Sequence, residues 1–420
     1  MRVVVIGSGL LGLASAFFLS RHGAQVTVVD RERGPGLSTS YANGGMLHAS
    51  QANPWNEPGV LGHALRMLGR EDAALLIRLR ALPSLLGWGW RFVKHSNPAR
   101  YLRNFEKNAR LARHSLAVMA ELRQEVPGQY DFEARGTLKL FRTREAVAAA
   151  GEMCRQLDAW GIDFETVDAR RALALEPALG PIESAIAGGL YFPGDESGDA
   201  HRFCVMLWKA CEKRGVEFRF DLPVKQLLRA GQRVEGVIAG KDFLQADAYL
   251  LAAGSHSLPL AKGVGVALPL RPVKGYSITL PVGDWAGRPQ LPVIDDSLHA
   301  AVCPLGDRLR VAGTAEFAGF DLRLTPSRID NLFRPVTQLY PEFEPHLDRA
   351  QASRWCGLRP MSADGVGLMG RTGLENFFLN TGHGPLGWTM AAAAGQLVAD
   401  EILGRKPALD PAPYRLDRFD

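Results

Sequence analysis

The chain has 420 residues, which is too long for one compact core and favours two domains. Its apolar content is that of an ordinary globular protein, and 49 basic residues are scattered among 44 acidic ones, so nucleic acid is not an expected partner. Its five cysteines lie far apart without a CxxC pair, which excludes a disulfide framework and a zinc site and favours a reducing, cytoplasmic compartment.

The first elements in chain order form a nucleotide-binding unit. Residues 2–6 (RVVVI) predict a buried parallel strand, because the run is β-branched and continuous. A glycine turn, a helix from about Leu10 to His22 and a strand at 25–29 complete a βαβ unit. The same glycines interrupt the apolar N-terminus and no small-residue cleavage site follows, which argues against a signal peptide.

The later elements are less strongly patterned. Between Trp55 and Tyr101 we predict helical pieces broken at Pro83 and Gly87. The remaining predicted elements are an amphipathic helix at 101–125, a strand at 136–141, helices at 144–159 and 199–214, strands at 216–220, within 224–240 and at 248–254, strand-like runs and one helix (326–340) within 268–350, a strand at 377–382 and a helix at 387–403. No run of 18 uncharged apolar residues occurs, so no membrane-spanning helix is expected.

Nucleotide-type strand and helix elements recur at the start, middle and end of the chain. The predicted fold is therefore α/β, with a discontinuous Rossmann-type domain and an inserted α+β domain on a mixed or antiparallel sheet. Residues 1–75, 195–262 and 353–420 are assigned to the cofactor domain, and 76–194 and 263–352 to the substrate domain.

The strongest motif is GxGxxG at Gly7, Gly9 and Gly12, which follows a strand and opens a helix. Gly7 allows the tight turn, Gly9 lets the backbone approach a pyrophosphate, and Gly12 permits close packing of the helix on the strand. The helix start offers free N–H groups to phosphates. Asp30 closes the second strand, where it would accept from ribose hydroxyls and argues against a 2′-phosphate and hence against NADP.

The fingerprint does not by itself choose between FAD and NAD. FAD is favoured because a second nucleotide half is not evident in the next hundred or so residues. Instead, residues 36–47 (GLSTSYANGGML) are rich in small and hydroxyl side chains that could run along a pyrophosphate and under a ring. An ordinary surface loop is the alternative for this segment.

Several blocks in this order resemble the D-amino acid dehydrogenase family, within the wider glycine oxidase, sarcosine oxidase and D-amino acid oxidase group. The resemblance covers essentially the whole chain. The segments that show it are VVVIGSGLLGLASAFFLSRHG (3–23), TSYANGG (39–45), YFPGDESGDAHRF (191–203), RPVKGYS (271–277), GLRPMSADG (357–365) and NTGHGPLGWTMA (380–391).

The resemblance implies non-covalent FAD and oxidative deamination of a D-amino acid to a 2-oxo acid and ammonia. Hydride would pass from the substrate Cα to flavin N5, and electrons would then pass to a membrane quinone or another acceptor. The alternative within the enzymes is a dehydrogenase or oxidase of a cyclic or secondary amino acid, of the D-hydroxyproline, D-proline, sarcosine or glycine type. A flavin- or NAD-binding module without turnover is the alternative outside them.

The resemblance also assigns cofactor contacts. These are Gly7, Gly9, Leu10, Leu11, Gly12, Asp30 and Arg31 at the ADP end, Ser38, Thr39, Ser40, Asn43, Gly44, Gly45 and Met46 in the loop, Val224 near the adenine, Ala253 and Gly254 in a second turn, and His383, Gly384, Leu386, Gly387 and Thr389 at the start of the last helix. A helix start there can stabilise negative charge on the reduced flavin.

Three residues are candidates for the substrate site. Arg359 in GLRPMSADG is predicted to bind the substrate carboxylate bidentately, which would fix the Cα–H over the flavin. Tyr276 could hydrogen-bond the same carboxylate or lie in the core, and His48 is a further candidate. Cys356 precedes the arginine block, where some sarcosine oxidases attach flavin, but a buried free thiol is the ordinary interpretation.

Residues 84–95 (SLLGWGWRFVKH) raise the question of a membrane partner. Apolar residues and tryptophans alternate with Arg91 and Lys94, a pattern that suits a helix lying on a membrane surface. Packing inside the substrate domain explains the same pattern. The expected location is therefore cytoplasmic, with peripheral contact to the inner face of the cytoplasmic membrane as a hypothesis that Trp88 and Trp90 would carry.

Overall fold

A computed structural model gives the fold and describes residues 1–60, 62, 71 and 73–420. Within these residues the strands are β1 (Arg2–Ile6), β2 (Gln25–Val29), β3 (Met46–Leu47), β4 (Leu75–Ile77), β5 (Thr137–Phe141), β6 (Glu165–Val167), β7 (Gly188–Phe192), β8 (Glu196–Ser197), β9 (Glu217–Arg219), β10 (Val224–Ala230), β11 (Arg233–Ala239), β12 (Asp242–Leu244), β13 (Ala248–Leu251), β14 (Leu270–Pro281), β15 (Val293–Asp295), β16 (Ala300–Leu305), β17 (Arg308–Phe317), β18 (Ser353–Ser362), β19 (Leu368–Arg371) and β20 (Phe377–Thr381).

The α-helices in the described part are α1 (Leu10–Arg21), α2 (Leu82–Lys94), α3 (Pro98–Glu125), α4 (Arg144–Ala159), α5 (Ala169–Leu175), α6 (Ala200–Lys213), α7 (Ser257–Gly263), α8 (Pro326–Asp330), α9 (Phe333–Leu339) and α10 (Gly387–Ile402). Shorter 3-10 segments lie at Leu79–Ala81, Pro177–Ala185, Gly254–His256, Pro341–His346, Gly384–Leu386, Ala412–Tyr414 and Leu416–Phe419. None of the described helices combines the length and apolar character needed to cross a bilayer.

The N-terminal unit lies in a sheet whose described strands have the order β19-β20-β13-β1-β2-β9. All neighbours are parallel except β19, which is antiparallel to β20. Central β1 is buried on both faces, which explains its continuous apolar sequence. Val3 and Val5 pack in one core with α1 and α10, and Val4 and Ile6 pack in another with β10, β11 and α7.

The larger sheet has the described strand order β18-β14-β17-β16-β15-β5-β7-β6, and β4 pairs with β17. Its pairs are antiparallel apart from β5 with β15 and β4 with β17. The long strand β14 places Val273 opposite Arg359 and Tyr276 opposite Cys356 on β18. This mixed, mainly antiparallel sheet beside a parallel one confirms the predicted fold class.

Two element predictions are wrong. α2 runs unbroken through Pro83 and Gly87, because proline is tolerated in a first helical turn and an exposed glycine costs only about 1 kcal/mol. The helix predicted at 326–340 is divided into α8 and α9. The parts of the predicted helical region at 61, 63–70 and 72 lie outside the described residues.

The two tryptophans of α2 face opposite ways. Trp88 is buried, stacks on Phe92, contacts Phe317 and donates from Nε1 to the carbonyl of Met361 at 3.2 Å. Trp90 is 65% exposed. The expectation that both tryptophans carry a membrane contact is therefore wrong for Trp88, whose indole belongs to the core.

Both sheets draw on distant parts of the chain. The strands of the parallel sheet come from 2–29, 217–251 and 368–381, and those of the large sheet from 75–77, 137–192, 270–317 and 353–362. β18 opens the last segment assigned to the cofactor domain, yet it pairs with β14 of the large sheet. The division into the two named domains stays a prediction.

Candidate active site

A cavity of about 560 Å³ lies where the two sheets meet. One wall comes from the carboxyl ends of β1, β2 and β13 and the start of α1, the edge at which parallel sheets bind ligands. The opposite wall comes from β14, β17 and β18. The cavity therefore joins the predicted dinucleotide motif to the predicted substrate residues.

The glycine turn is close-packed against backbone. Gly7 has φ +108°, and its amide donates to the carbonyl of Val29 at 2.9 Å. A Cβ on Gly7 would lie 2.6 Å from the carbonyl oxygen of Ala252, and one on Gly12 would lie 1.9 Å from that of Gly7. α1 can start against the turn only because neither residue has a side chain, and its first amides then face the cavity as an anion site.

Asp30 supports this turn. One carboxylate oxygen accepts from the amide of Ser8 at 2.5 Å and from its hydroxyl at 2.7 Å, and the other accepts from the amide of Glu32 at 2.9 Å. Asp30 also lines the cavity. Its carboxylate therefore orders the glycine loop from within, and it retains the acceptor capacity that a ribose hydroxyl would use.

Arg31 is joined by a residue that sequence reasoning missed. Its Nη1 lies 2.9 Å from Nε2 of His256, and both residues line the cavity. Burial, with the nearby Arg31 charge, lowers the pKa of His256 to about 4. His256 is therefore neutral near pH 7, and its Nε2 can accept from the guanidinium. No motif or regular spacing in the sequence links Arg31 to His256.

The loop at 36–47 is held against the large sheet by three hydrogen bonds. The hydroxyl of Thr39 donates to the carbonyl of Leu358 at 3.0 Å, and that of Ser277 donates to the carbonyl of Ala42 at 2.5 Å. Arg310 donates from Nη1 to the carbonyl of Asn43 at 2.7 Å. The loop is thus fixed between the two walls, with Gly36, Ala42, Gly45 and Leu47 buried and Ser38 and Tyr41 exposed, so it is not an ordinary surface loop.

Arg359 presents its guanidinium to the cavity. Nη1 donates to the carbonyl of Thr314 at 3.3 Å, and the guanidinium lies 5.7 Å from the ring centre of Trp55. In the described part of the chain no carboxylate lies within ion-pair distance of Arg359. Burial lowers its pKa to about 10, so the group is still charged at neutral pH. A partly buried cation without an anion is suited to bind the carboxylate of a ligand.

A β-bulge places the carbonyl that Arg359 contacts. The register of β14 with β17 shifts between Gly275 and Tyr276, and Thr314 is the extra residue. Thr314 has φ +58°, an uncommon and strained conformation for a β-branched residue. Its Oγ1 is buried and has no hydrogen-bond partner among the described residues. Nothing in the sequence indicates this bulge.

Tyr276 is one of the residues that line the cavity, but its side chain packs in the hydrophobic core and its hydroxyl is already bonded. The hydroxyl donates to the carboxylate of Glu316 and lies 3.1 Å from Oγ1 of Thr325. Burial, with the Glu316 contact, raises the pKa of Tyr276 above its usual value. Glu316 also accepts from Nε of Arg78 at 2.7 Å. A substrate carboxylate would have to displace Glu316 to reach this hydroxyl.

Two histidines in the wall have unused ring nitrogens. Within the described residues, both ring nitrogens of His383 and Nδ1 of His48 lack a hydrogen-bond partner. Burial lowers the pKa of His48 to about 4 and that of His383 to about 3. Both rings are therefore neutral at physiological pH. His48 is held by its backbone amide, which donates to the hydroxyl of Thr389 at 3.1 Å.

Most of the predicted site residues meet in this cavity. The predicted residues that line it are Gly7, Gly9, Leu10, Leu11, Asp30, Arg31, Ser38, Thr39, Ser40, Asn43, Gly44, Met46, His48, Val224, Ala253, Gly254, Tyr276, Arg359, His383, Gly384 and Gly387. The described residues that line the cavity do not include Gly12, Gly45, Leu386 or Thr389. They do not include Cys356 either, and its thiol contacts the carbonyl of Leu322 at 3.1 Å. Lining residues that were not predicted include Lys225, His256, Leu322 and Trp355.

The wall fits FAD. The start of α1 offers amides to a pyrophosphate, and Asp30 offers acceptors to a ribose. The unused nitrogens of His383 and His48 are polar atoms that a polar ring system could engage. Gly384 begins the 3-10 segment that leads into α10, and Gly387 begins α10 itself, where helix amides can stabilise negative charge.

Comparisons with known proteins agree with this geometry. The family described as FAD dependent oxidoreductase matches residues 2–401. A protein of Paramagnetospirillum magneticum named D-amino acid dehydrogenase is 44% identical over 424 residues, covering 100% of this chain and 99% of its own. One of the same name from Methylobacterium radiotolerans is 42% identical over 420 residues, covering 100% of both chains.

Solved structures share the fold. Glycine oxidase from Geobacillus kaustophilus superposes with a TM-score of 0.75 at 23% identity, covering 99% of this chain and 98% of its own. L-proline dehydrogenase from P. horikoshii superposes with a TM-score of 0.77 at 18% identity, covering 100% of this chain and 98% of its own. With the family match over nearly the whole chain, the chain belongs to the family of FAD-dependent oxidoreductases.

Proposed function

We propose that this enzyme oxidises a D-amino acid to the 2-oxo acid and ammonia, with its FAD bound non-covalently. The guanidinium of Arg359, partly buried in the cavity wall and without an ion-pair partner among the described residues, is the observation that carries the proposal, because a carboxylate is the ligand group that it fits. The D configuration is supported by full-length relatives that bear the name D-amino acid dehydrogenase.

When bound, FAD supplies the hydride-accepting chemistry. Arg359 holds the substrate carboxylate, and the ring of Trp55 lies beside its guanidinium. Because the carboxylate is fixed, the Cα–H can be directed at one face of the cofactor. The neutral imidazoles of His48 and His383 add no positive charge that would attract a second anion.

The substrate side chain is expected to be uncharged. Among the described residues, Asp30 is the only acidic side chain in the cavity wall, and it is bonded to Ser8 at the dinucleotide end. Around the Arg359 guanidinium lie the ring of Trp55, Gly275 and the carbonyl of Thr314, none of which carries a negative charge. A cationic side chain would therefore lose its hydration without gaining an anion.

Anaerobic bleaching of the flavin absorbance tests this function. D-Alanine should bleach the purified yellow protein and yield pyruvate and ammonia in equal amounts, whereas L-alanine should leave the absorbance unchanged. D-Lysine should react far more slowly than D-alanine. Bleaching by D-proline, sarcosine or glycine with none by D-alanine would replace the proposal with the alternative of an enzyme for a cyclic or secondary amino acid or for glycine, and no bleaching by any of these compounds would remove it.

Electrons are proposed to leave to a membrane quinone, with peripheral contact between the enzyme and the membrane. The outward position of Trp90 on α2 supports that contact. Anaerobic reduction of a short-chain, water-soluble quinone in the presence of D-alanine, compared with oxygen consumption in its absence, tests the acceptor. Rapid oxygen consumption with no quinone reduction would identify an oxidase instead.

A further inference from the structure

Two successive carbonyl groups in the loop that precedes β3 are bound by side chains of the large sheet. The carbonyl of Ala42 accepts from the hydroxyl of Ser277 on β14, and that of Asn43 accepts from Nη1 of Arg310 on β17. The described peptide bonds are all trans, so the N–H of each peptide group points opposite to its carbonyl. The amides of Asn43 and Gly44 therefore point away from the side chains that fix them.

These two amides are available as donors. Asn43 and Gly44 both line the cavity, and in the described part of the chain neither amide has a hydrogen-bond partner. The peptide groups of Gly45 are by contrast engaged, because its amide donates to the side-chain oxygen of Asn43 at 3.0 Å and its carbonyl accepts from the amide of Gly198 at 2.7 Å. Successive amides that face one space bind electron-rich groups. The loop therefore presents a pair of donors to a ligand in the cavity.

The donor pair lies towards the substrate end of the cavity. Earlier in the loop, the hydroxyl of Ser40 accepts from the first amide of α1, where the pyrophosphate site is predicted. Gly44 lies against β17, since a Cβ on it would be 3.7 Å from Cβ of Ala312. Ala312 precedes by two residues Thr314, whose carbonyl accepts from Arg359. A cofactor with its phosphates at α1 has to extend its reducible ring towards Arg359 to meet the substrate, so the two amides face the ring and not the phosphates.

Arg310 is only 4% exposed and is not among the described residues that line the cavity. Its Nη1 donates to the carbonyl of Asn43 at 2.7 Å, its Nε donates to the hydroxyl of Thr279 at 2.6 Å, and its Nη2 lies 3.8 Å from the carboxylate of Asp199. Asp199 is shared with Arg308 and with the first amides of α6, so it offsets the charge of Arg310 only in part. A guanidinium bound to a carbonyl polarises that peptide group, which makes its N–H a stronger donor.

We propose that Arg310 is a positioning residue for the flavin and acts through the peptide group that it binds. Arg310 and Ser277 hold the amides of Gly44 and Asn43 as donors to the reducible ring of FAD. The positive charge behind these amides stabilises the electron-rich reduced ring, so the bound flavin is easier to reduce. The inference rests on the proposed function for the source of the electrons, whereas the flavin potential is measured without any amino acid.

Anaerobic titration of the flavin-loaded, full-length protein against a reference dye tests the inference. Arg310→Met should shift the equilibrium between oxidised and two-electron-reduced flavin about tenfold towards the oxidised form, which lowers the midpoint potential by about 30 mV. Arg310→Lys keeps the charge without the planar fork, so its shift should be smaller. Ser277→Ala removes one neutral hydrogen bond and should shift the equilibrium about threefold in the same direction.

A matched control and the kinetics separate this role from a structural one. Arg308→Met removes a cation from the same face of β17 and breaks the ion pairs with Asp131 and Asp199, but Arg308 does not contact the carbonyl of Asn43. Its flavin should keep the potential of wild type. With D-alanine, flavin reduction in Arg310→Met should be about tenfold slower in a single turnover. The KM should stay unchanged, because the carboxylate-binding guanidinium is intact.

Two results would overturn the inference. One is a wild-type potential in Arg310→Met, and the other is an equal shift in the Arg308→Met control, because general loss of charge would then explain both. If Arg310→Met purifies without FAD, Ser277→Ala decides, and a wild-type potential in that variant also overturns the inference. The predicted shifts together with a wild-type flavin that D-alanine does not bleach would instead remove the proposed function and leave the role of Arg310 standing.

Discussion

The two ends of the cavity are assembled in different ways. At the dinucleotide end, Gly7, Asp30 and the loop at 36–47 come from one short stretch of chain, and Asp30 bonds to Ser8 and Glu32 within that stretch, although the loop is also bonded to the large sheet. At the substrate end, Arg359 contacts Thr314 from another strand, 45 residues away in sequence. The first end depends on local spacing, whereas the second depends on the register of three strands.

This difference has a consequence for how each end tolerates change. Atoms that surround the glycine turn are backbone atoms of a buried sheet, which cannot move independently. At the substrate end, by contrast, the Arg359 side chain is long and flexible, and it can move within the cavity. Substitutions at the dinucleotide end should therefore cost stability and cofactor, while those at the substrate end should change substrate affinity with the cofactor retained.

The largest effect is expected for Gly12→Ala. Its new Cβ would lie 1.9 Å from the carbonyl oxygen of Gly7, so α1 would have to move away from β1. We expect a loss of stability of about 3 kcal/mol and poor retention of FAD. The ratio of flavin to protein absorbance after purification, together with the melting temperature, measures both effects.

Gly9→Ala is the matched control for that substitution. Gly9 has φ −74°, and the nearest atom to its added Cβ is the rotatable Oγ of Ser40 at 3.2 Å. This variant should melt close to wild type, so any flavin that it loses reports the added methyl group at the pyrophosphate site and not a displaced α1. A Gly12→Ala protein that purifies with a full complement of FAD would contradict the account of a rigid dinucleotide end.

The contrast between the ends also explains what the sequence could predict. The strand at 2–6, the helix start at Leu10 and the position of Asp30 follow from short-range patterns, and the structure places them as expected. Arg359 was found because its sequence block resembles a known family. Its surroundings could not be found that way, because the bulge at Thr314 arises only when β14 and β17 pair out of register.

Other failures have the same physical origin. His256 and Arg31 meet through tertiary packing, with no signal in either local sequence. The pattern of apolar residues and tryptophans in α2 fits both burial and exposure, and the structure divides it, with Trp88 inside and Trp90 outside. Adjacent residues in a turn also point different ways, so Gly44 lines the cavity while Gly45 does not appear in its described wall.

At the substrate end, Arg359→Ala should raise the KM for D-alanine about a hundredfold, because charge-assisted hydrogen bonds to the carboxylate contribute about 2–3 kcal/mol. FAD should remain bound. Arg359→Lys should give an intermediate KM, since it keeps the charge without the two-pronged geometry. In wild type the KM should rise as the pH increases through about 10, where the guanidinium loses its proton. Steady-state kinetics that do not change on Arg359→Ala would remove the carboxylate role.

His383, between the two ends, should make stability depend on pH. Burial lowers its pKa from 6.5 to about 3, so below pH 6.5 the unfolded chain binds a proton that the folded protein does not. The contribution of the neutral His383 ring to the free energy of unfolding is therefore present above pH 6.5 and is lost progressively as the pH falls towards 3. The loss between pH 7 and pH 5 is about 2 kcal/mol. Melting of the flavin-loaded protein at both pH values measures the loss, and His383→Gln should reduce it. An equal loss in the variant would show that this end of the cavity is wet.

The smallest and most selective effect is expected for Gly275→Ala. Its Cβ would lie 2.3 Å from Cζ of Arg359, and the guanidinium, being the free end of a long side chain, would move aside at little cost in stability. Misplacing it should raise the KM about tenfold, or about 1.4 kcal/mol, with normal melting and full FAD content. Gly373→Ala is the control, because among the described residues no atom lies within 4 Å of its added Cβ. An unchanged KM for Gly275→Ala would show that the substrate carboxylate does not bind at the position of the Arg359 guanidinium. That conclusion would hold whatever the kinetics of Arg359→Ala.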